Sequence, residues 1–308
     1  VDSRPHRLLN RISCFSKWKL ANRTANAHKG LMGDVLLIGG ACGMQGALRL
    51  AAEGSLAIGS GKCFVFSLAS SSRDTALPAQ VLHLQPDALQ AACESGSKMV
   101  LAIGCGLGLD ASAKHYLSEA IESSMDLVID ADAINLLAMD PHLIDRLAAS
   151  MRLDRRPQTP EDRPDPKPRR RRVVLTPHPL EAARLLGQSR GSVERDRFTA
   201  IRRLAALSGC TVILKGAGSL VHAPEREIMI IDRSAPALAQ AGSGDMLCGV
   251  LAALMARHPA LDPQLLAATA AFMHAEAAAI WSLRHGRFNG MRFEDLARSI
   301  SELFAQLG

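Results

Sequence analysis

The chain has 308 residues, 48% of them hydrophobic and 21% charged, with a formal net charge of +6. That composition supports one large α/β domain or two small ones and excludes disorder over most of the length. No apolar run reaches the ~18 residues of a spanning helix and no secretory leader is recognisable, so a soluble, cytoplasmic protein without a membrane partner is expected.

Residues 1–30 read as a basic N-terminal extension, ahead of a single domain over 31–308; up to position 29 the chain carries seven Lys or Arg against Asp2 alone. Asp34–Gly39 is a buried-strand signature, branched apolar residues in a row and then glycine. The turn Gly39-Gly40-Ala41-Cys42-Gly43-Met44-Gln45-Gly46-Ala47 leads into an Ala/Leu-rich helix, Gln45 to Ile58. It suggests a dinucleotide-binding turn, but Phe64 to Ala69, where that motif places a ribose-holding carboxylate, has none. Lys62–Leu68 and Met99–Ile103 are strand-like, and the second ends in Gly104-Cys105-Gly106-Leu107-Gly108, which either turns the chain or lets backbone approach a ligand. Asp126–Asp130 is a further strand, running into Asp130-Ala131-Asp132-Ala133-Ile134-Asn135. Carboxylates at i and i+2 share a face and suit Mg²⁺ or a hydroxyl; capping of the next helix by Asp132 is the competing duty.

The segment from Arg152 to Arg172 carries nine Lys or Arg, four acids and five prolines. It cannot bury a core and is expected to be a flexible surface insertion, either simply tolerated or an anionic docking arm. This segment and the basic terminus hold the whole positive balance, and the rest of the chain is mildly acidic. With only 4% aromatics as well, nucleic-acid binding is not expected. Seven cysteines without a Cys-x-x-Cys pair read as reduced thiols.

After a strand at Val173–Leu175, Thr176-Pro177-His178-Pro179-Leu180-Glu181 starts a helix, with Thr176 and Glu181 available to cap it. His178 there is either structural or a ligand contact. A strand at Thr211–Leu214 precedes Lys215-Gly216-Ala217-Gly218-Ser219, which offers a cation, backbone donors and a hydroxyl, as a nucleotide phosphate requires. Ser219–Val221 and Ile228–Ile231 form a hairpin pair around Pro224 and Glu225. The strongest signal is Gly242-Ser243-Gly244-Asp245 at the head of a helix over 243–257. Its first-turn N–H groups and helix dipole make an anion hole, and Asp245 beside it can take the proton of an attacking hydroxyl. Helices near 262–282 and 292–307 close the chain. The alternation predicts a mostly parallel sheet with helices on both faces, and the glycine loops fall at the strand ends where such folds bind ligands.

In order and spacing, six of these segments (Gly39–Ala47, Gly104–Gly108, Asp130–Asn135, Thr176–Glu181, Lys215–Ser219 and Gly242–Asp245) resemble the NAD(P)H-hydrate dehydratases of the ribokinase-like superfamily. The resemblance runs from about His28 to Gln306. It implies a ribokinase-like three-layer sandwich that removes water from the 6S hydrate of NADH or NADPH. ADP is the expected phosphoryl donor, with ATP the alternative, and AMP or ADP plus phosphate would be released. On this resemblance Ala47, Gly108, His178 and Asp245 line the hydrate site, with Asp245 as catalytic base. Lys215, Gly216, Ala217, Gly218, Ser219 and Gly244 bind the nucleotide, Gly242, Ser243 and Gly244 form the anion hole, and Asp130, Asp132 and Asn135 are candidate substrate or metal contacts. Mg²⁺ would bridge the phosphates, and a homo-oligomer, often a tetramer in the family, is expected. Cys105 stands where the family usually has Pro, Leu180 where it usually has Gly, and Ser219 where it usually has Thr. The short stretch before Gly33 is expected to leave no room for the epimerase domain of bifunctional relatives. A small-molecule kinase of the same fold is the rival reading, since it shares the Gly-x-Gly-Asp anion hole.

Overall fold

The computed structural model describes residues 29–69, 77–94, 99–155 and 170–307. The basic stretch 1–28 and residues 156–169 of the Arg/Pro segment lie outside them. Nine strands form one sheet: β1 (Asp34–Gly39), β2 (Lys62–Ser67), β3 (Val81–His83), β4 (Val100–Ile103), β5 (Asp126–Ile129), β6 (Val173–Leu175), β7 (Thr211–Leu214), β8 (Leu220–His222) and β9 (Met229–Ile230). Their order is β3-β2-β1-β4-β5-β6-β7-β8-β9. Pairing is parallel as far as β7, and β8 and β9 close that edge antiparallel.

Strand residues alternate between two cores, as the period-two pleat requires. Val35 and Leu37 of β1 enter one core, Leu36 and Ile38 the other. The first core is covered by α1 (Gln45–Ile58), α9 (Ser243–Arg257), α10 (Pro263–His285) and α11 (Phe293–Leu307). The second is covered by α2 (Pro86–Glu94), α3 (Ala111–Glu122), α4 (Ala131–Met139), α5 (Pro141–Arg155), α6 (Pro179–Leu186), α7 (Arg190–Arg195) and α8 (Arg197–Ser208).

Helix α9 is buried without a break from Met246 to Ala256, the pattern of a core helix apolar on every side. It lies unusually close to α1 because each helix offers a glycine to the other. A Cβ on Gly249 would sit 1.8 Å from the Ala51 carbonyl oxygen, and one on Gly54 would sit 2.2 Å from that of Met246. Helix α10 is long and apolar enough to cross a membrane, against the expectation from the sequence. Most of its apolar stretch is buried, packed on α9, α11 and β7, and it serves as a core helix.

The two ends of the Arg/Pro segment also depart from expectation. Arg152 to Arg155 complete α5. The Arg171 guanidinium donates to the carbonyls of Ala120, Ile121 and Met125. Arg172 is buried, pairs with Asp126 at 2.6 Å and donates to the carbonyls of Met255, His258 and Leu261. Those carbonyls lie at and just beyond the last turn of α9, so Arg172 ties that end to β5. The basic run was read by its charge alone; its last two residues are anchors because orphan carbonyls need donors.

Candidate functional site

The strand order reverses between β1 and β4, and both glycine loops leave the carboxyl ends of those strands. This is the switch point at which open α/β sheets bind ligands. Gly40 and Ala41 donate backbone hydrogen bonds to the carbonyls of Cys105 and Gly106, so the loops brace each other. On the same edge, α9 starts at Gly242, whose φ of 98° suits glycine and which brings no capping side chain. The first-turn N–H groups of Gly244 and Asp245 are left for an anion. The Lys215 ammonium stands 3.2 Å from where a Cβ on Gly244 would lie, so anything larger than glycine would crowd that cation. A buried helix dipole, two main-chain donors and an ammonium converge there.

Lys215 bonds the buried Asp130 carboxylate at 2.7 Å across 85 residues of sequence. Burial alone would push the ammonium down, but Asp130 and Glu181 hold it above its ordinary value. Asp245 is pushed up to about 6, first by burial and then by Asp130; the Cys105 thiol and Lys215 act against this. Asp130 sits at the N-cap of α4 without a side-chain cap, and Ala131 after it is left-handed at φ 46°. Of these three residues only Ala131, between the two carboxylates, adopts that sparsely populated backbone conformation.

Beside the anion hole opens a cavity of about 340 Å³. Lys215, Gly216, Ser219, Ser243 and Gly244 supply its polar wall, while Ile231, Pro236, Leu238, Leu247 and Ala271 supply apolar faces. That mixture suits a base at one end and phosphates at the other. Arg197, on α8, organises the polar wall by donating to the carbonyls of Leu214, Ala217 and Gly218. The Ser219 hydroxyl closes the turn on the Gly216 carbonyl.

Residues 35–302 match the family of NAD(P)H-hydrate dehydratases. A Neisseria meningitidis protein, an ADP-dependent (S)-NAD(P)H-hydrate dehydratase, is 35% identical over 263 residues, or 83% of this chain and 79% of its own. The chain belongs to the NAD(P)H-hydrate dehydratase family. A bifunctional NAD(P)H-hydrate repair enzyme from Leishmania braziliensis is 36% identical over 89% of this chain, which spans 50% of that relative's length. Among solved structures, an ADP/ATP-dependent NAD(P)H-hydrate dehydratase from Bacillus subtilis, co-crystallised with ATP and Mg²⁺, superposes with a TM-score of 0.73. It is 22% identical and is covered over 96% of its chain, against 95% of this one. A ribokinase-like superfamily protein from Enterococcus faecalis also scores 0.73, at 20% identity over 96% of this chain and 94% of its own. The fold is ribokinase-like.

The structure brings most of the residues expected for a dehydratase to one edge. Lys215, Gly216, Ala217, Ser219, Ser243 and Gly244 line the cavity, and Gly218 turns the chain behind it at φ 65°. Ala47 faces the Gly106 loop, and Gly108 donates its N–H to Asp132 at 2.9 Å. Asp132 therefore fixes a glycine loop and does not cap α4, while Asp130 binds Lys215, so the two carboxylates do not act as one pair. Asn135 accepts from Arg184 at 2.7 Å. His178 is the N-cap of α6: its Nδ1 accepts from the N–H groups of Leu180 and Glu181, and Glu181 accepts from the His178 N–H. Nε2 lies 3.2 Å from the same Glu181 carboxylate. Thr176 instead bonds the Ile129 carbonyl and takes no part in the cap. Burial, then repulsion by Lys215, keeps the His178 imidazole below its ordinary value. The sequence reading missed Arg197, the 231–239 wall and His274, which burial pushes down to about 4.

Proposed function

We propose that this chain dehydrates the 6S hydrate of NADH or NADPH at the expense of a phosphoryl group from ADP or, as the alternative donor, ATP. The observation that carries this reading is the convergence of the α9 donors, Lys215 and Asp245 beside the 340 Å³ cavity, in a member of this family. The nucleotide base would occupy the apolar end of the cavity, with its phosphates against Lys215 to Ser219. The terminal phosphoryl group would then lie on the Gly244 and Asp245 N–H groups, which bear the charge spread over its oxygens in transfer. Asp245 takes the proton of the C6 hydroxyl, and that oxygen bonds to phosphorus as the bond to AMP or ADP breaks. The ring-nitrogen lone pair expels phosphate from C6. Loss of a C5 proton then restores the dihydronicotinamide. Lys215 neutralises the transferring group while Asp130 holds the ammonium in place.

Mg²⁺ would supply charge neutralisation on the nucleotide phosphates. The hard carboxylate oxygens of Asp132, at this edge and not engaged by Lys215, would suit it. On this reading residues 31–308 act as one catalytic domain in the cytoplasm, as a homo-oligomer.

The test incubates the protein with hydrated NADH, Mg²⁺ and either nucleotide, and follows the return of reduced-nicotinamide absorbance. Asp245→Asn is expected to bind nucleotide as before and to lose about 10²–10⁴-fold in turnover, the usual contribution of a general base. Parent-level repair by that variant would remove Asp245 from the chemistry.

A further inference from the structure

The floor of the site holds two thiols that the proposed reaction does not use. Cys105 lies at the start of the loop after β4 and Cys248 in the second turn of α9; both are buried. Among the described residues, these thiols and the Asp130 carboxylate form a cluster whose ligand atoms all lie within 4.8 Å of one another. The Cys105 thiol also interacts electrostatically with Cys248 and Asp245. We propose that Cys105, Cys248 and Asp130 form a site for a thiophilic divalent cation of the Zn²⁺ class, and that its occupation silences Asp245.

Three observations carry this. A tetrahedral Zn²⁺ with bonds of about 2.3 Å to sulfur and about 2.0 Å to oxygen spaces its ligands by roughly 3.5 Å, so small side-chain adjustments bring the three atoms into range. The fourth position falls to Asp245 or to water, a mixed sulfur–oxygen set that selects a soft ion over Mg²⁺. The charge also balances. Two S–H protons leave to solvent as two metal–sulfur bonds form, so one divalent ion replaces two protons and the net charge of the cluster is unchanged. Lys215 occupies Oδ1 of Asp130, which leaves Oδ2 for the ion. An ion held here fixes the Asp245 carboxylate as a ligand or neighbour, and it no longer accepts the hydroxyl proton.

The binding half stands apart from the dehydratase reading; the inhibition half rests on it. Cd²⁺ alone, titrated into the full-length reduced chain carrying Cys42→Ala to remove an exposed thiol, reads the first half through its thiolate charge-transfer absorbance. One tight ion per chain is expected. Cys105→Ala and Cys248→Ala should each weaken it about tenfold or more, with Cys248→Ser as the substitute if an alanine variant does not fold. A titration with no tight site, or a band unchanged by Cys248→Ala, overturns the proposal. For the second half, Zn²⁺ should slow hydrate repair and a chelator should restore it. Equal fractional inhibition of the parent and both cysteine variants overturns the link to Asp245.

Discussion

On the proposed reading, Asp245 must be two things that conflict, a buried carboxyl and an ionised base. With its value raised to about 6, the folded protein holds the proton more tightly than the unfolded chain does. Its contribution to stability is therefore complete below about pH 4 and is lost as pH rises through 6. Asp245→Asn, which never ionises, should thus be more stable than the parent by about 2 kcal/mol at pH 8 and equal to it near pH 4. Paired denaturant titrations at the two pH values check this. The same value places the acidic limb of the kcat/KM profile near pH 6, activity rising as the base ionises; a profile flat from pH 5 to 8 would exclude Asp245 as the ionising group. Gly-Ser-Gly-Asp before an apolar helix announced this residue by local pattern. The Asp130–Lys215 pair, separated by 85 positions, was not legible in that way, since only the sheet order brings β5 and β7 close to each other.

One level up, the reactive edge depends on how two helices meet. The facing glycines of α1 and α9 let backbone touch backbone, which sets the height at which the anion hole stands above the sheet. Gly249→Ala must push against the Ala51 carbonyl and should cost about 1–3 kcal/mol, the usual price of overpacking. Turnover should fall further than nucleotide affinity, because Asp245 moves with the helix; a thermal melt beside steady-state kinetics separates the two effects. Strands β1 and β6 and helix α1 were readable from the sequence to the residue, since each is a short apolar or Ala/Leu-rich run bounded by glycine or polar residues. β3, an edge strand in which only Val81 is buried, offered no such run, and α2 was not read although five of its nine residues are apolar. The 231–239 wall carries no periodicity at all; tertiary packing alone makes it part of a pocket.

At the scale of the molecule, α9 is held at both ends: its first turn at the site and its last at Arg172. Removing that guanidinium as Arg172→Met strands the buried Asp126 carboxylate and should cost about 3–5 kcal/mol, and adding Asp126→Asn should recover part of the loss. Chemical denaturation of the single and double variants measures both. In sequence the basic segment read as a tolerated surface insertion, with a docking arm as the alternative, because composition does not reveal which arginine meets an orphan carbonyl. The division of labour around the cavity carries a further consequence. On the proposed reading, phosphate meets the head of a rod deep in the core, whereas the base is faced by an irregular stretch before it and by α10. Base preference can therefore drift by substitution at 231–239 while the phosphate grip stays untouched, so swapping this strip between relatives is the direct route to exchanging adenine for another base.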